Sequence, residues 1–135
     1  MTDSKKTIRV VAGVLHKDGR YLIAQRLSGT LGAGAWEFPG GKIEPDETEY
    51  AALVRELNEE LGIETLAAQP LLSLTHEYPE RFVALSFFAV TAWRGAVNGR
   101  EGQAIRWCPR DEMLSVDWLP ANLAVVDRLL VVSKY

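Results

Sequence analysis

The chain has 135 residues, 47% hydrophobic and 9% aromatic, which suits one domain spanning residues 1–135 with a buried core. Fifteen basic against eighteen acidic residues give a net charge of −3, which argues against a broad surface for nucleic-acid polymers or anionic membranes. A single cysteine, a polar start and no apolar run of membrane-spanning length argue against a disulfide framework, a secretory leader and a membrane span, so a cytoplasmic location is expected.

Residues 7–16 (TIRVVAGVLH) and 20–26 (RYLIAQR) are mostly β-branched or apolar and read as two strands. Asp18 and Gly19 between them tolerate positive φ, the signature of a tight hairpin. Residues 27–35 carry three glycines and no period, and read as a loop. A short segment at residues 36–38 follows, and Pro39, Gly40 and Gly41 turn the chain. Asp46 or Thr48 then caps a helix of about fourteen residues, with Glu49 completing a capping box from Asp46 and Gly62 stopping it. Tyr50, Val54, Leu57 and Leu61 form its predicted apolar stripe, with Glu56, Glu59 and Glu60 sharing the other side. Residues 71–76 and 82–93 read as strands about a turn at Pro79 and Glu80, the second long and apolar enough to lie centrally. Residues 105–108 are another short strand. Residues 121–132 place Leu123, Val126, Leu129 and Leu130 at helical spacing. The expected fold is α+β, a mixed β-sheet packed between helices as an α/β/α sandwich.

Within residues 41–63 the sequence GKIEPDETEYAALVRELNEELGI sets Gly41, Glu47, Arg55, Glu56, Glu59, Glu60 and Gly62 at fixed offsets. Three like charges within one helical turn of each other repel, so the pattern makes sense where a hard cation or a basic partner offsets them. Mg²⁺ is held by a few carboxylates, water and substrate phosphates, which is the donor set this face offers. Glycines at 40 and 41 let backbone approach a metal or phosphate closely. An isolated ELNEE would be a solvated helix face; the surrounding residues favour a metal site. Arg55 supplies compensation, and Glu47 is expected to hold the loop through an ion pair with it.

The segment matches the Nudix box GX5EX7REUXEEXGU without departure. WEFPGGKIE at residues 36–44, EYPER at 77–81, GREGQ at 99–103 and LPAN at 119–122 are similar to segments of the MutT-like branch of the Nudix hydrolases in the same order. The resemblance implies a Nudix fold and hydrolysis of a nucleoside triphosphate to the monophosphate and pyrophosphate. It implies Mg²⁺, replaceable by Mn²⁺, held by Glu56, Glu59, Glu60, the Gly40 carbonyl and, through the GREGQ match, Glu101. Glu56, Arg55 and Glu47 form the implied catalytic set. Glu56 and Glu101 both suit the role of general base, and Glu56 is preferred. Arg26 resembles an arginine that reaches the substrate phosphate; a surface salt bridge is its other reading. Asn122 resembles an asparagine that reads 8-oxoguanine, and it also suits the N-cap of the last helix. Phe38 and Arg81 are expected to line the base pocket, while Tyr78, Trp36, Phe87 and Trp93 read more readily as core. Cys108 is expected to be buried and inert.

The substrate implied is 8-oxo-dGTP, with a role in nucleotide-pool sanitisation and DNA repair, acting as monomer or homodimer. Related enzymes with a similar WEF segment and Trp-Cys pair act on CTP or dCTP, but carry aspartate at the position of Asn122. A non-catalytic Nudix module that binds oxidised bases is the rival from another class, and the complete acid set argues against it.

Overall fold

The computed structural model describes residues 5–30 and 32–131. Leu31, and Val132 at the end of the expected last helix, lie outside these residues. Strand β1 (Lys6–Lys17) turns through Asp18 (φ 53°) and Gly19 (φ 74°) into β2 (Arg20–Gln25), the hairpin expected from that dipeptide. The short strands β3 (Trp36–Glu37) and β4 (Gly40–Lys42) precede helix α1 (Glu49–Leu61). Strands β5 (Glu64–Glu77) and β6 (Arg81–Arg94) form a long hairpin, and β7 (Ile105–Pro109) leads through two 3₁₀ turns, Arg110–Ser115 and Pro120–Asn122, into α2 (Leu123–Val131).

The sheet order is β3-β2-β1-β6-β5, with β4 added to β1 and β7 to β2. Strand β1 runs parallel to β6 over ten residue pairs, so β6 is central as its apolar run suggested. Both faces of this sheet are covered, which explains near-continuous apolar strands in place of strict alternation. Val11, Leu15, Leu22, Phe88 and Val90 face Leu53, Leu57 and Leu61 of α1. Ala12, Val14, Tyr21, Ile23 and Phe87 face Val125, Val126 and Leu129 of α2. The mixed sheet between two helices is the sandwich the sequence implied.

Several local expectations are corrected. Gly40 and Gly41 are not a turn: they lie in β4, paired with Ala12 and Val11, because the missing side chain of Gly40 lets this strand press against β1 and that of Gly41 leaves room for the Glu56 carboxylate. The α1 stripe is Ala52, Leu53, Leu57 and Leu61, whereas Tyr50 is 42% exposed in the first turn. Glu60 is not on the solvent side but 7% exposed, since seven residues at about 100° each bring it to within about 20° of Leu53. Thr48, not Asp46, is the N-cap, its hydroxyl accepting from Ala51 N at 3.0 Å; Glu49 instead accepts from the Ser86 hydroxyl. Strand β5 starts seven residues earlier than expected. Ala67, Ala68 and Pro70 hide it, and an edge strand with bulges tolerates all three. Helix α2 starts at Leu123, which is 49% exposed, and Val125 replaces it in the core. Cys108 is fully buried, as expected.

Candidate active site

Helix α1 is the scaffold of the acidic side chains. Arg55, at its centre, directs all five guanidinium N–H donors inward upon oxygens. Nε donates to Glu47 Oε2 at 2.6 Å, Nη1 to Glu56 Oε1 at 2.9 Å and Glu59 Oε1 at 3.3 Å, and Nη2 to Glu47 Oε1 at 2.8 Å and Lys42 O at 2.9 Å. Glu47 also accepts from Glu44 N at 2.9 Å, so one carboxylate stitches the loop after β4 to the helix. The Arg55 guanidinium beside Glu47 holds its carboxyl down at about 2, and the same contact raises Arg55. Glu47 thus has the loop-holding ion pair expected of it.

The other oxygen of Glu56, Oε2, lies over Gly41, where any side chain would overlap the carboxylate. Burial pushes the Glu56 carboxyl up, against the lowering effect of Arg55. Glu60 accepts from Gly40 N at 2.9 Å, which ties the helix to β4. Burial first, then the charges of Glu37, Glu101 and Glu56, push the Glu60 carboxyl up to about 8. Glu101 reaches this place because its loop hangs on the free carbonyls at the end of α1. Arg100 N and Gln103 Nε2 donate to Glu60 O at 3.0 and 3.3 Å, Asn98 N donates to Leu61 O at 3.0 Å, and Gln103 Oε1 accepts from Glu101 N at 3.0 Å. Glu60, Glu101, Glu37, Gly40 and Arg26 line a cleft of about 140 Å³.

A second, mostly apolar cavity of about 250 Å³ adjoins the cleft, lined among others by Phe38, Val83, Phe87, Arg81 and Asn122. Arg26, Glu37 and Gly40 line both, and mark where the two meet. Asn122 is 4% exposed and does not cap α2. Its Oδ1 accepts from Phe38 N at 3.1 Å and its Nδ2 donates to Leu119 O at 3.1 Å. Phe38 stacks on Trp118 with ring centres 5.0 Å apart, so it is core and cavity wall together. Arg81 lies over the Tyr78 ring at 5.8 Å, and Tyr78 lines the cavity instead of joining the core.

The structure therefore gathers Glu56, Glu60 and Glu101 on one side and Arg26, Phe38, Arg81 and Asn122 on the other. Glu59 is held at the rim by Arg55, its side chain 52% exposed. Among the described residues no three acidic or imidazole side chains stand as a preformed ligand sphere, since the Glu56 and Glu59 carboxylates turn to Arg55 and Glu60 to Gly40. The donor set nonetheless fits a hard divalent cation. It is all oxygen, and the upward push on Glu60 and Glu56 is what a nearby cation would reverse. Sequence reasoning passed over Glu37 and Lys42, both of which line the apolar cavity. Glu37 stands one residue before Phe38 in the WEF segment, which was the available signal.

The family model described as the NUDIX domain matches residues 5–130. The CTP pyrophosphohydrolase of Escherichia coli strain K12 is 40% identical over 125 residues, covering 93% of each chain. The 8-oxo-dGTP diphosphatase of Haemophilus influenzae is 39% identical over 127 residues, again covering 93% of each. A solved structure from a study of MutT from Aliivibrio salmonicida and Vibrio cholerae superposes with a TM-score of 0.82 at 33% identity, covering 93% of this chain and 98% of that one. The chain belongs to the NUDIX domain family, as a MutT-like Nudix hydrolase.

Proposed function

We propose that the protein is a cytoplasmic, single-domain, Mg²⁺-dependent nucleoside triphosphate pyrophosphohydrolase whose preferred substrate is 8-oxo-dGTP, so that it cleanses the precursor pool for DNA synthesis. The observation that carries this reading is the Asn122 amide set in the wall of an apolar cavity that opens onto the acid cleft. Of its donors and acceptors, one lone pair is spent on Phe38 N and one N–H on Leu119 O. One N–H and one lone pair remain for a base edge, the paired donor and acceptor a guanine-type edge requires. A base in this cavity places its sugar at Arg26 and its phosphates along the acids.

Glu56, Glu59, Glu60, Glu101 and the Gly40 carbonyl would hold the cations. Bound Mg²⁺ supplies charge neutralisation at phosphate oxygens and a lowered pKa for attacking water. The remaining work falls to the chain. Arg55 fixes Glu56 through Oε1, and Glu56 Oε2 takes the proton from the water whose oxygen bonds to phosphorus as the α–β anhydride link breaks. Arg26 offers paired donors to a phosphate, Arg81 and Phe38 bound the base, and Glu47 keeps Arg55 in place.

A second reading, CTP or dCTP hydrolysis, is favoured by the 40% identity to the Escherichia coli CTP pyrophosphohydrolase. Turnover of 8-oxo-dGTP, dGTP, CTP and dCTP in Mg²⁺, followed by pyrophosphate release, separates the two. The sanitising role requires kcat/KM for 8-oxo-dGTP to lead, and CTP ahead by about tenfold sinks it.

A further inference from the structure

We propose that Glu37 is a positioning residue: it fixes the Arg26 guanidinium where the base cavity meets the acid cleft, so that Arg26 grips the phosphate nearest the sugar. This rests on the reading that the cavity takes the base and the cleft the phosphate chain. Ala24 pairs with Glu37 across β2 and β3, which makes Arg26, two residues on, its diagonal neighbour. The ion pair spans 3.6 Å, with side chains 33% and 24% exposed.

The frame under Glu37 is fixed from both edges. On one side Arg26 N donates to Ala35 O at 2.8 Å; on the other, Trp36 N donates to Asp117 O at 2.9 Å and Leu119 N to Trp36 O at 2.8 Å. Phe38 N, the next donor along, goes to Asn122. A two-residue strand bonded in this way presents Glu37 at one fixed place. That place is costly for a carboxylate. It is half-buried, its charge works against Glu60 across the cleft, and it stands on the path of an anionic substrate. Arg26 is the cation that draws it down. An acid kept in such a position has a function there, and orienting the guanidinium that, among the described residues, borders both spaces is the function its geometry gives it. The phosphate at this junction is the one attached to the sugar, and only the monophosphate product retains it.

Calorimetric titration of the intact protein in MgCl₂ with 8-oxo-dGMP and, separately, with pyrophosphate tests the role without turnover. Glu37→Gln preserves shape and removes charge; it is expected to weaken monophosphate binding by about tenfold and to leave pyrophosphate binding within about twofold. In an Arg26→Ala background the same substitution is expected to add no further loss, the mark of a residue that acts through another. Glu37→Asp, which draws the carboxylate back by one methylene, is expected to give the same selective loss and replaces the Gln variant if that fails to fold. Equal losses for both ligands would make Glu37 a cation ligand and overturn the proposal, as would additive losses in the Arg26 background. Unchanged monophosphate binding overturns the role of Glu37 alone, whereas a wild-type protein that binds no monophosphate overturns the base-cavity reading with it.

Discussion

The acid cleft and the apolar cavity adjoin but are built in opposite ways. Most of the acids at the cleft come from one helix and the loop stitched to its end: Glu56, Glu59 and Glu60 lie within five residues, and Glu101 is drawn in by bonds to Glu60 O and Leu61 O. The cavity is assembled from β1, β3, β4, β6 and the Pro120–Asn122 turn, and its polar contact joins residues 84 apart in sequence. Chemistry shared by a family can be written as a contiguous spacing, whereas the proposed choice of base would depend on segments that meet only after folding. The two regions should therefore fail separately.

The largest expected effect is on the cleft alone. Glu56→Gln should lower kcat by about 10³-fold in pyrophosphate-release assays and leave monophosphate binding within about twofold. Equal damage to both would show that the regions are not separable. Gly41→Ala sets a methyl against the Glu56 carboxylate and forces it aside, so kcat should fall by about 10²-fold with little change in KM. Asn122→Ala is the converse break. It should raise KM for the preferred purine substrate by about tenfold or more, and leaving Phe38 N without its buried acceptor should cost about 1–3 kcal/mol in denaturant unfolding.

The smallest effect sharpens the comparison through pH. Glu60 has its carboxyl pushed from 4.5 to about 8. Between these values the folded protein keeps a proton that the unfolded chain has released, so the contribution is full below about pH 4.5 and is lost as pH rises to 8. Without divalent cation, thermal stability should therefore fall across this window, and Mg²⁺ should flatten the fall. Glu60→Gln, which still accepts from Gly40 N, should raise metal-free stability at pH 8 and flatten its fall across this window.

The same contrast sets what could be read from the sequence. The helix, its Gly62 stop, the Asp18-Gly19 hairpin and the acids needed only local spacing. The acid spacing alone points Glu60 to solvent, whereas its alignment with Leu53, seven residues back, sets it on the buried side. The β4 strand was hidden because two glycines read as a turn when nothing local indicates that β1 lies beneath them. Glu37 has only its place in the WEF segment as a local trace: its importance comes from the bonds that fix Trp36 and Phe38 on either side of it, and their partners Asp117, Leu119 and Asn122 lie some eighty residues away in the chain.

The two-way tie of Asn122 bears on how preference for a base could change. Aspartate there would still receive the Phe38 amide, but it would turn a second oxygen towards the Leu119 carbonyl, with no hydrogen between them. The exchange is thus no mere relabelling of a recognition atom: the 3₁₀ turn would have to open, or the acid keep its proton. Retuning by descent or by engineering must recast the turn as a unit, and it can do so without touching a residue of α1.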